Sequence, residues 1–486
     1  MHKLALSFKG KIIREFSSYC QLFVYISDIL SRIALILLFT SIPILYEFLS
    51  IRDEELSMFI GMYIASVIIW GFILIKFIIS RKEVFGKSKF DIYYMGLLAV
   101  ALISVLLSSN RVTGVFGSTG TWSFSVITYL AVAVIYYVSS TVFKYSRGVK
   151  WLAVCLLGSI LVPSIYHLII VLQGNTNRNF DYFKYAVMSI PLTIGIIFTF
   201  KKLWLRVITF IALIGNLFLV AYYSRFLSGT MFILNLGVLS LFILFYFSFW
   251  IKNRKVLIDF ISGVLRNFKN IKVLRDELSK RKRELVIFAM MIFMALWIIG
   301  FSIYVVSYFQ TNIGDFIFSW MKTDIGKVNS LRMWIIGEND LSKIFSSFEF
   351  INILSNYGIW GVILIFLLLI NAIYLSAKQT LELLYVGNFR NIILLSSIFV
   401  TFVMILLNFF LSRFNALTYM TLILVTTLLS VIDVILKKEK MYSLIKCKEF
   451  KKSSDKILRI IISLLIIVFM AAGVVGILTG LDRGIF

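Results

Sequence analysis

Thirteen stretches of this chain stay apolar for roughly 16 to 26 residues each, at about 33–50, 58–80, 91–108, 122–143, 151–172, 185–200, 203–222, 230–251, 286–308, 351–376, 391–412, 415–436 and 458–480. A helix needs about 20 residues to cross about 30 Å of hydrocarbon. Inside that hydrocarbon the backbone must satisfy its own hydrogen bonds, which a helix does within one segment. The expected fold is therefore all-α, a polytopic membrane protein of about 13 transmembrane helices. With 60% hydrophobic residues, a mean hydropathy of +0.95 and three prolines in 486 residues, a soluble globular chain is excluded.

Orientation follows from the distribution of Lys and Arg. With the amino terminus inside and thirteen alternating spans, the inner face collects 38 Lys and Arg against 13 Asp and Glu, and the outer face 11 against 11. The whole net charge of +25 then lies on the cytoplasmic side of the plasma membrane. A missed or invented span would scramble that separation, so the tally supports the helix number as well.

The expected order is a cytoplasmic segment 1–32, helices 1–8 over 33–251, a basic amphipathic cytoplasmic segment 252–285, and helix 9 over 286–308. An outer cap 309–350, helices 10–12 over 351–436, a basic cytoplasmic segment 437–457, and helix 13 with an outer tail over 458–486 complete it. Segment 252–285 carries Leu257, Ile258, Ile261, Leu265 and Phe268 at near-helical spacing with cations interleaved, the pattern of a helix lying on the inner leaflet. The cations are dispersed over inner segments beside span ends, where anionic lipid attracts them, so nucleic acid is not an expected partner.

Little conventional chemistry is on offer. Cys20 and Cys447 fall on the reducing side and Cys155 inside a span, which implies no disulfide framework. His2 and His167 stand without clustered carboxylates, so neither a metal nor another cofactor is expected, and His167 reads as a packed side chain. The spans carry no acid, Lys or Arg at mid-membrane depth, since Lys76, Asp91, Arg206, Asp433 and Arg459 lie near inner ends and Glu47 near an outer one. Ion-coupled pumps usually need such groups.

Outside, the cations change character. Inner cations are 26 Lys to 12 Arg, whereas outer ones are Lys184, Lys322, Lys327 and Lys343 against Arg52, Arg111, Arg178, Arg225, Arg332, Arg413 and Arg483. A planar guanidinium holds phosphate bidentately and keeps its proton when partly desolvated. Outer arginines can equally snorkel or pair with acids, as Arg52 can with Asp53, Glu54 and Glu55. Arg225 has no acid near it in sequence and sits in a short turn between two spans. Gly114, Gly117 and Gly120, followed by Trp122, read as a tight re-entry turn or as a surface approached by substrate. The segment Gln310–Phe350 mixes Asp315, Asp324, Lys327, Asn329, Arg332, Trp334, Glu338, Asp340 and Glu349 with apolar residues, as a folded cap would.

Several of these outer segments resemble, in order, those of the O-antigen ligase and O-antigen polymerase superfamily, membrane glycosyltransferases acting on lipid-linked glycans. Ser108-Ser-Asn followed by Val115-Phe-Gly117 is similar to the early outer turn of that group. Tyr223-Ser-Arg-Phe-Leu-Ser-Gly229 is similar to its Ser-Arg turn, and Ser330-Leu-Arg-Met-Trp334 to its Arg followed shortly by Trp. Ile351, Leu354, Tyr357, Gly358 and Gly361 resemble the apolar stretch after the ligase His-Asn pair, but that pair itself is replaced by Ser347 and Phe348. The resemblance implies transfer of a glycan from a polyprenyl diphosphate to an acceptor hydroxyl outside the membrane, in surface polysaccharide biosynthesis. It implies Arg225 and Arg332 at the diphosphate, with Arg111, Arg178 and Arg413 as further substrate-binding candidates and Glu349 as a base in place of the histidine. Without the ligase histidine, polymerisation is expected over ligation. A flippase for the same lipid-linked oligosaccharide is the competing class. Expected partners are that lipid-linked glycan, membrane lipids and other polysaccharide assembly proteins.

Overall fold

The computed structural model describes residues 26–41, 54–79, 88–108, 111–117, 122–143, 148–173, 180–200, 202–223, 253–262, 349–386, 389–411, 414–436 and 453–482, with a few single positions between 237 and 303. Every regular element among the described residues is helical. These are α1 (26–41), α2 (Glu54–Ile79), α3 (Asp91–Leu107), α4 (Arg111–Phe116), a 3-10 turn (Trp122–Phe124), α5 (Val126–Val142), α6 (Gly148–Leu172) and α7 (Phe180–Thr199). There follow α8 (Leu203–Tyr223), α9 (253–262), α10 (Glu349–Val386), α11 (Phe389–Leu411), α12 (Ala416–Leu436) and α13 (Ser453–Asp482).

The second to seventh and the tenth to thirteenth apolar runs of the sequence coincide with these helices. Six spans among the described residues are long and apolar enough to cross a membrane: Leu56–Lys76, Trp151–Leu172, Leu203–Val220, Asn352–Leu383, Ile392–Phe410 and Ile457–Leu478. Four shorter apolar helices accompany them: Asp91–Leu107, Val126–Val142, Tyr185–Phe198 and Ala416–Ile432. The eighth and ninth runs, apart from single positions, and the expected cap up to residue 348 lie outside the described residues.

The helices divide into two units, one of residues Met1–Ala186, Asp324–Asn371 and Asn408–Phe486, the other of Val187–Thr323 and Ala372–Leu407. In the first unit α5 is central, buried on nearly every face. It packs against α2, α3, α4, α12 and α13, and α12 packs in turn on α6. The outer surface is apolar. On α13, Leu458, Ile461, Leu465 and Val468 are exposed, and on α3 so are Ile92, Leu102, Ile103 and Leu106. The interior holds the hydroxyls instead: Ser139 on α5 and Thr418, Thr421, Thr426 and Thr427 on α12 are buried. This arrangement suits a hydrocarbon solvent, in which lipid tails are as good a neighbour for Leu as another Leu. Many of these hydroxyls donate to a carbonyl one turn back, as Thr421 does to Leu417 and Thr426 to Leu422.

Two backbone interruptions are compensated from neighbouring helices or side chains. Pro163 in α6 has no N–H for the Ser159 carbonyl four residues earlier. The Tyr185 hydroxyl of α7 donates to that carbonyl at 2.9 Å. In α10 the helix is broken at Gly358, with φ 65° and ψ −169°. The break orphans the carbonyls at the end of the half-helix Glu349–Tyr357. One of these, on Asn356, accepts the Ser104 hydroxyl of α3.

Two ends differ from the expected boundaries. Helix α1 begins by residue 26, ahead of the expected first span at 33, and buries Asp28. Asp28 is held by Lys76 of α2 at 2.6 Å, and the Ser27 hydroxyl donates to the Phe72 carbonyl at 2.7 Å. Helix α10 continues to Val386, ten residues past its apolar run, because Ser376 to Val386 contains no breaker and Gly387 supplies the first stop.

In the second unit, Asn216 of α8 donates to the Ser189 hydroxyl of α7 at 2.8 Å. Gly195 of α7 lies against Ser397 and Leu394 of α11 so closely that a Cβ would fall 2.8 Å from the serine side chain. Helix α9 is the described part of the basic amphipathic segment. It buries Leu257 and Phe260, with Phe260 against Phe288, and leaves Ile258 and Ile261 exposed beside Arg254 and Lys255.

Candidate functional site

At one end of the first unit, the start of α2, the end of α3, the starts of α5, α10 and α12, and the short α4 come together around a set of buried polar side chains. The turn into α5 is built on Ser125, whose hydroxyl accepts the Thr128 backbone N–H at 3.2 Å as an N-cap. The Thr128 hydroxyl donates to the Trp122 carbonyl at 2.7 Å and lies 2.6 Å from the Tyr63 hydroxyl of α2. The start of α12 is capped in the same way: the Asn415 side-chain oxygen accepts from the backbone N–H and the hydroxyl of Thr418, at 2.9 and 2.8 Å.

Three tyrosines join these ends. Tyr129 of α5 meets Tyr357 of α10 and Tyr419 of α12 edge to face, at centroid distances of 5.3 and 6.1 Å. The Tyr129 and Tyr419 hydroxyls are 3.3 Å apart. Beside them Phe350, Phe409, Phe410 and Phe414 form a continuous aromatic row. Edge-to-face rings and shared hydroxyls hold the helix ends in one register.

Above this floor lies α4. Gly117, just after it, has φ +91°, and a Cβ there would sit 2.8 Å from the Trp122 ring. Backbone geometry and packing both demand glycine, which accounts for Gly117 as part of a tight re-entry turn. On the other side Phe116 lies against Gly473 and Gly476 of α13.

Of the six residues that sequence reasoning put at the site, two are described. Arg111 is the first residue of α4 and is exposed, so its guanidinium is available to an anion at this end of the unit. Glu349 opens α10, seven residues and about 10 Å along the helix from Asn356, at 1.5 Å per residue. The Ser104–Asn356 hydrogen bond ties the end of α3 to this half-helix, and Arg111 follows the last residue of α3 by four positions. Arg225, Arg332, Arg178 and Arg413 lie outside the described residues, as do Ser330–Trp334, Ser347 and Phe348.

The polar floor itself was not singled out from sequence, although Ser125 with Thr128 and Asn415 with Thr418 carry the spacing of helix N-caps ahead of apolar runs. No signal in the sequence pairs Tyr129 with Tyr357 and Tyr419, because those contacts join residues more than 200 positions apart. Among the described residues no group of His, Cys, Asp and Glu is arranged to hold a metal ion. His167 is buried, its ring edge-on to Tyr166, as a packed side chain. The arrangement offers a floor of buried hydroxyls and aromatic rings, with the exposed cation Arg111 at the start of α4. No family model, curated protein or solved structure matches the chain.

Proposed function

We propose that the chain is a polymerase-type glycosyltransferase that joins polyprenyl-diphosphate-linked oligosaccharide units on the outer face of the cytoplasmic membrane, with thirteen spans and its amino terminus inside. The observation that carries this reading is the meeting of helix ends at the polar floor. The charge tally assigns the start of α2, the end of α3 and the starts of α5, α10 and α12 to one side of the membrane, and these ends gather at one floor beside which α4, opened by Arg111, packs on α5.

The chemistry suits those residues. An acceptor hydroxyl attacks the anomeric carbon of the donor, the bond from that carbon to the diphosphate oxygen breaks, and the electron pair leaves with the polyprenyl diphosphate. Guanidiniums stabilise the leaving charge without a metal. Arg225 and Arg332 take that role, with Arg111, Arg178 and Arg413 along the same path, and the hydroxyl proton passes to Glu349. Aromatic rings and hydroxyls at the floor hold the wall against which sugars are positioned.

A second reading, a flippase for the same lipid, draws on the break at Gly358, since discontinuous helices line substrate paths in many transporters. Ligase-type transfer to another acceptor shares the site and differs in the acceptor. The experiment is the chain-length distribution of the surface glycan in cells carrying Arg225→Ala or Arg332→Ala, with protein level checked. Single repeat units accumulating outside the membrane support polymerisation. Normal long chains in both variants refute it, and units retained inside point to the flippase.

A further inference from the structure

Between α2, α3, α5 and α13 lies a cavity of about 330 Å³, which extends from Leu130 at mid-helix in α5 away from the site above, toward Tyr137 and Arg459. Its wall is almost wholly apolar, formed by Trp70, Met95, Leu130 and Ile466 among others, and its polar groups are Tyr137, Arg459 and Ser463. Met95 on α3 and Ile462 on α13 both line it while remaining 50% and 47% exposed at the bundle surface, so the cavity opens sideways between these helices. Toward the other end of α13 the corresponding space is taken by Phe116 of α4. The opening therefore faces the same apolar surroundings as Leu458, Ile461 and Leu465.

Charge decides what enters. Arg459 lies within the first two turns of α13, at the start of its apolar span. The preceding stretch, residues 437–456, carries eight lysines against three acids. A basic cluster of that density beside a membrane helix attracts anionic headgroups. Arg459 has five N–H donors, enough to hold a phosphate beside any other partner. A hydrocarbon slot with a cation at its rim matches an amphiphile that has an anionic head and at least one flexible chain.

The geometry points to a binding site for an anionic phospholipid in this cavity, one acyl chain lying against Trp70, Met95 and Leu130 and the phosphate at Arg459. The site is distinct from the proposed catalytic end and does not depend on that reading. A bound lipid there would fill the space between α13, α3 and α5.

The test uses the purified full chain in phosphatidylcholine liposomes containing a small fraction of phosphatidylglycerol with a photoreactive group in one acyl chain. Adducts are mapped by mass spectrometry after illumination. The proposal expects adducts concentrated on cavity residues such as Met95, Leu130 and Ile462. It expects about a fivefold drop for Arg459→Gln with Arg459→Lys largely retained, since one basic residue near an anionic surface contributes about that much. It also expects loss of those adducts in Met95→Trp, which fills the mouth from an exposed position. Adducts spread evenly over exposed faces such as Leu203 and Phe210 would overturn it. So would equal labelling by the phosphatidylcholine analogue, or displacement of phosphatidylglycerol by equimolar polyprenyl phosphate, which would reassign the cavity to the isoprenoid carrier.

Discussion

Breaking the Lys76–Asp28 pair is the sharpest probe of how the first unit tolerates charge. The two atoms are 2.6 Å apart and the side chains are 11% and 10% exposed. At an effective dielectric of about 20 their attraction is about 6 kcal/mol. Removing two ions from water costs several kcal/mol each, so the pair as a whole sits near neutrality against an apolar replacement. Removing one partner strands the other, at a cost of about 3–5 kcal/mol. The two singles should not be equal. Lys76→Met leaves a short carboxylate buried between α1 and α2 and should show the full loss. Asp28→Leu leaves a lysine in the last turn of α2 whose long stem can reach toward headgroups, and should lose less. The double variant Lys76→Met with Asp28→Leu should recover most of the loss. Denaturant unfolding of the purified protein in detergent, followed by tryptophan fluorescence, gives the four free energies. A Lys76→Met variant within about 1 kcal/mol of wild type, or a double variant less stable than the worse single, would refute a buried, mutually dependent pair.

Tyr185→Phe should cost about 1–3 kcal/mol in the same assay, because it orphans the Ser159 carbonyl that Pro163 leaves without a helical donor; a loss below about 0.5 kcal/mol would show the carbonyl satisfied elsewhere. Gly358→Ala should cost about 1–3 kcal/mol, since φ 65° with ψ −169° is a conformation almost confined to glycine. Gly71→Ala in α2, with nothing within 4 Å of the added methyl, should be neutral or stabilising and serves as the control. Tyr63→Phe removes a hydroxyl 2.6 Å from Thr128 and should lower stability by about 1 kcal/mol, while Arg111→Ala, at an exposed position, should leave stability within about 0.5 kcal/mol. If the proposed function holds, Arg111→Ala should shorten surface glycan chains at unchanged protein level.

What sequence showed and what it hid divide along one physical line. Apolar length is a local property, so α2, α3, α5 to α8 and α10 to α13 were legible as runs, whereas the short α4 was read only as part of an outer turn. Compensation is not local. Asp28 fell in the expected cytoplasmic segment 1–32 because its counter-ion, Lys76, lies 48 positions away, and the helix starts earlier than hydropathy indicated. The end of α10 was misplaced for a different reason: hydropathy falls after Leu375, but helix propensity does not. Gly117 was legible as a turn because positive φ is written into the residue type. The tyrosine floor was not, since edge-to-face contacts between Tyr129, Tyr357 and Tyr419 depend on which helices become neighbours. Among the proposed site residues, Arg111 opens the short α4, which packs on α3, α5 and α13.

The most direct test of the proposed activity is reconstitution of the purified protein in liposomes with polyprenyl-diphosphate-linked single repeat units as the sole glycan. Polymerase activity would give a ladder of longer lipid-linked glycans with release of free polyprenyl diphosphate, lost in Arg225→Ala and Arg332→Ala. Units that stay single, whether or not they cross the bilayer, would contradict it.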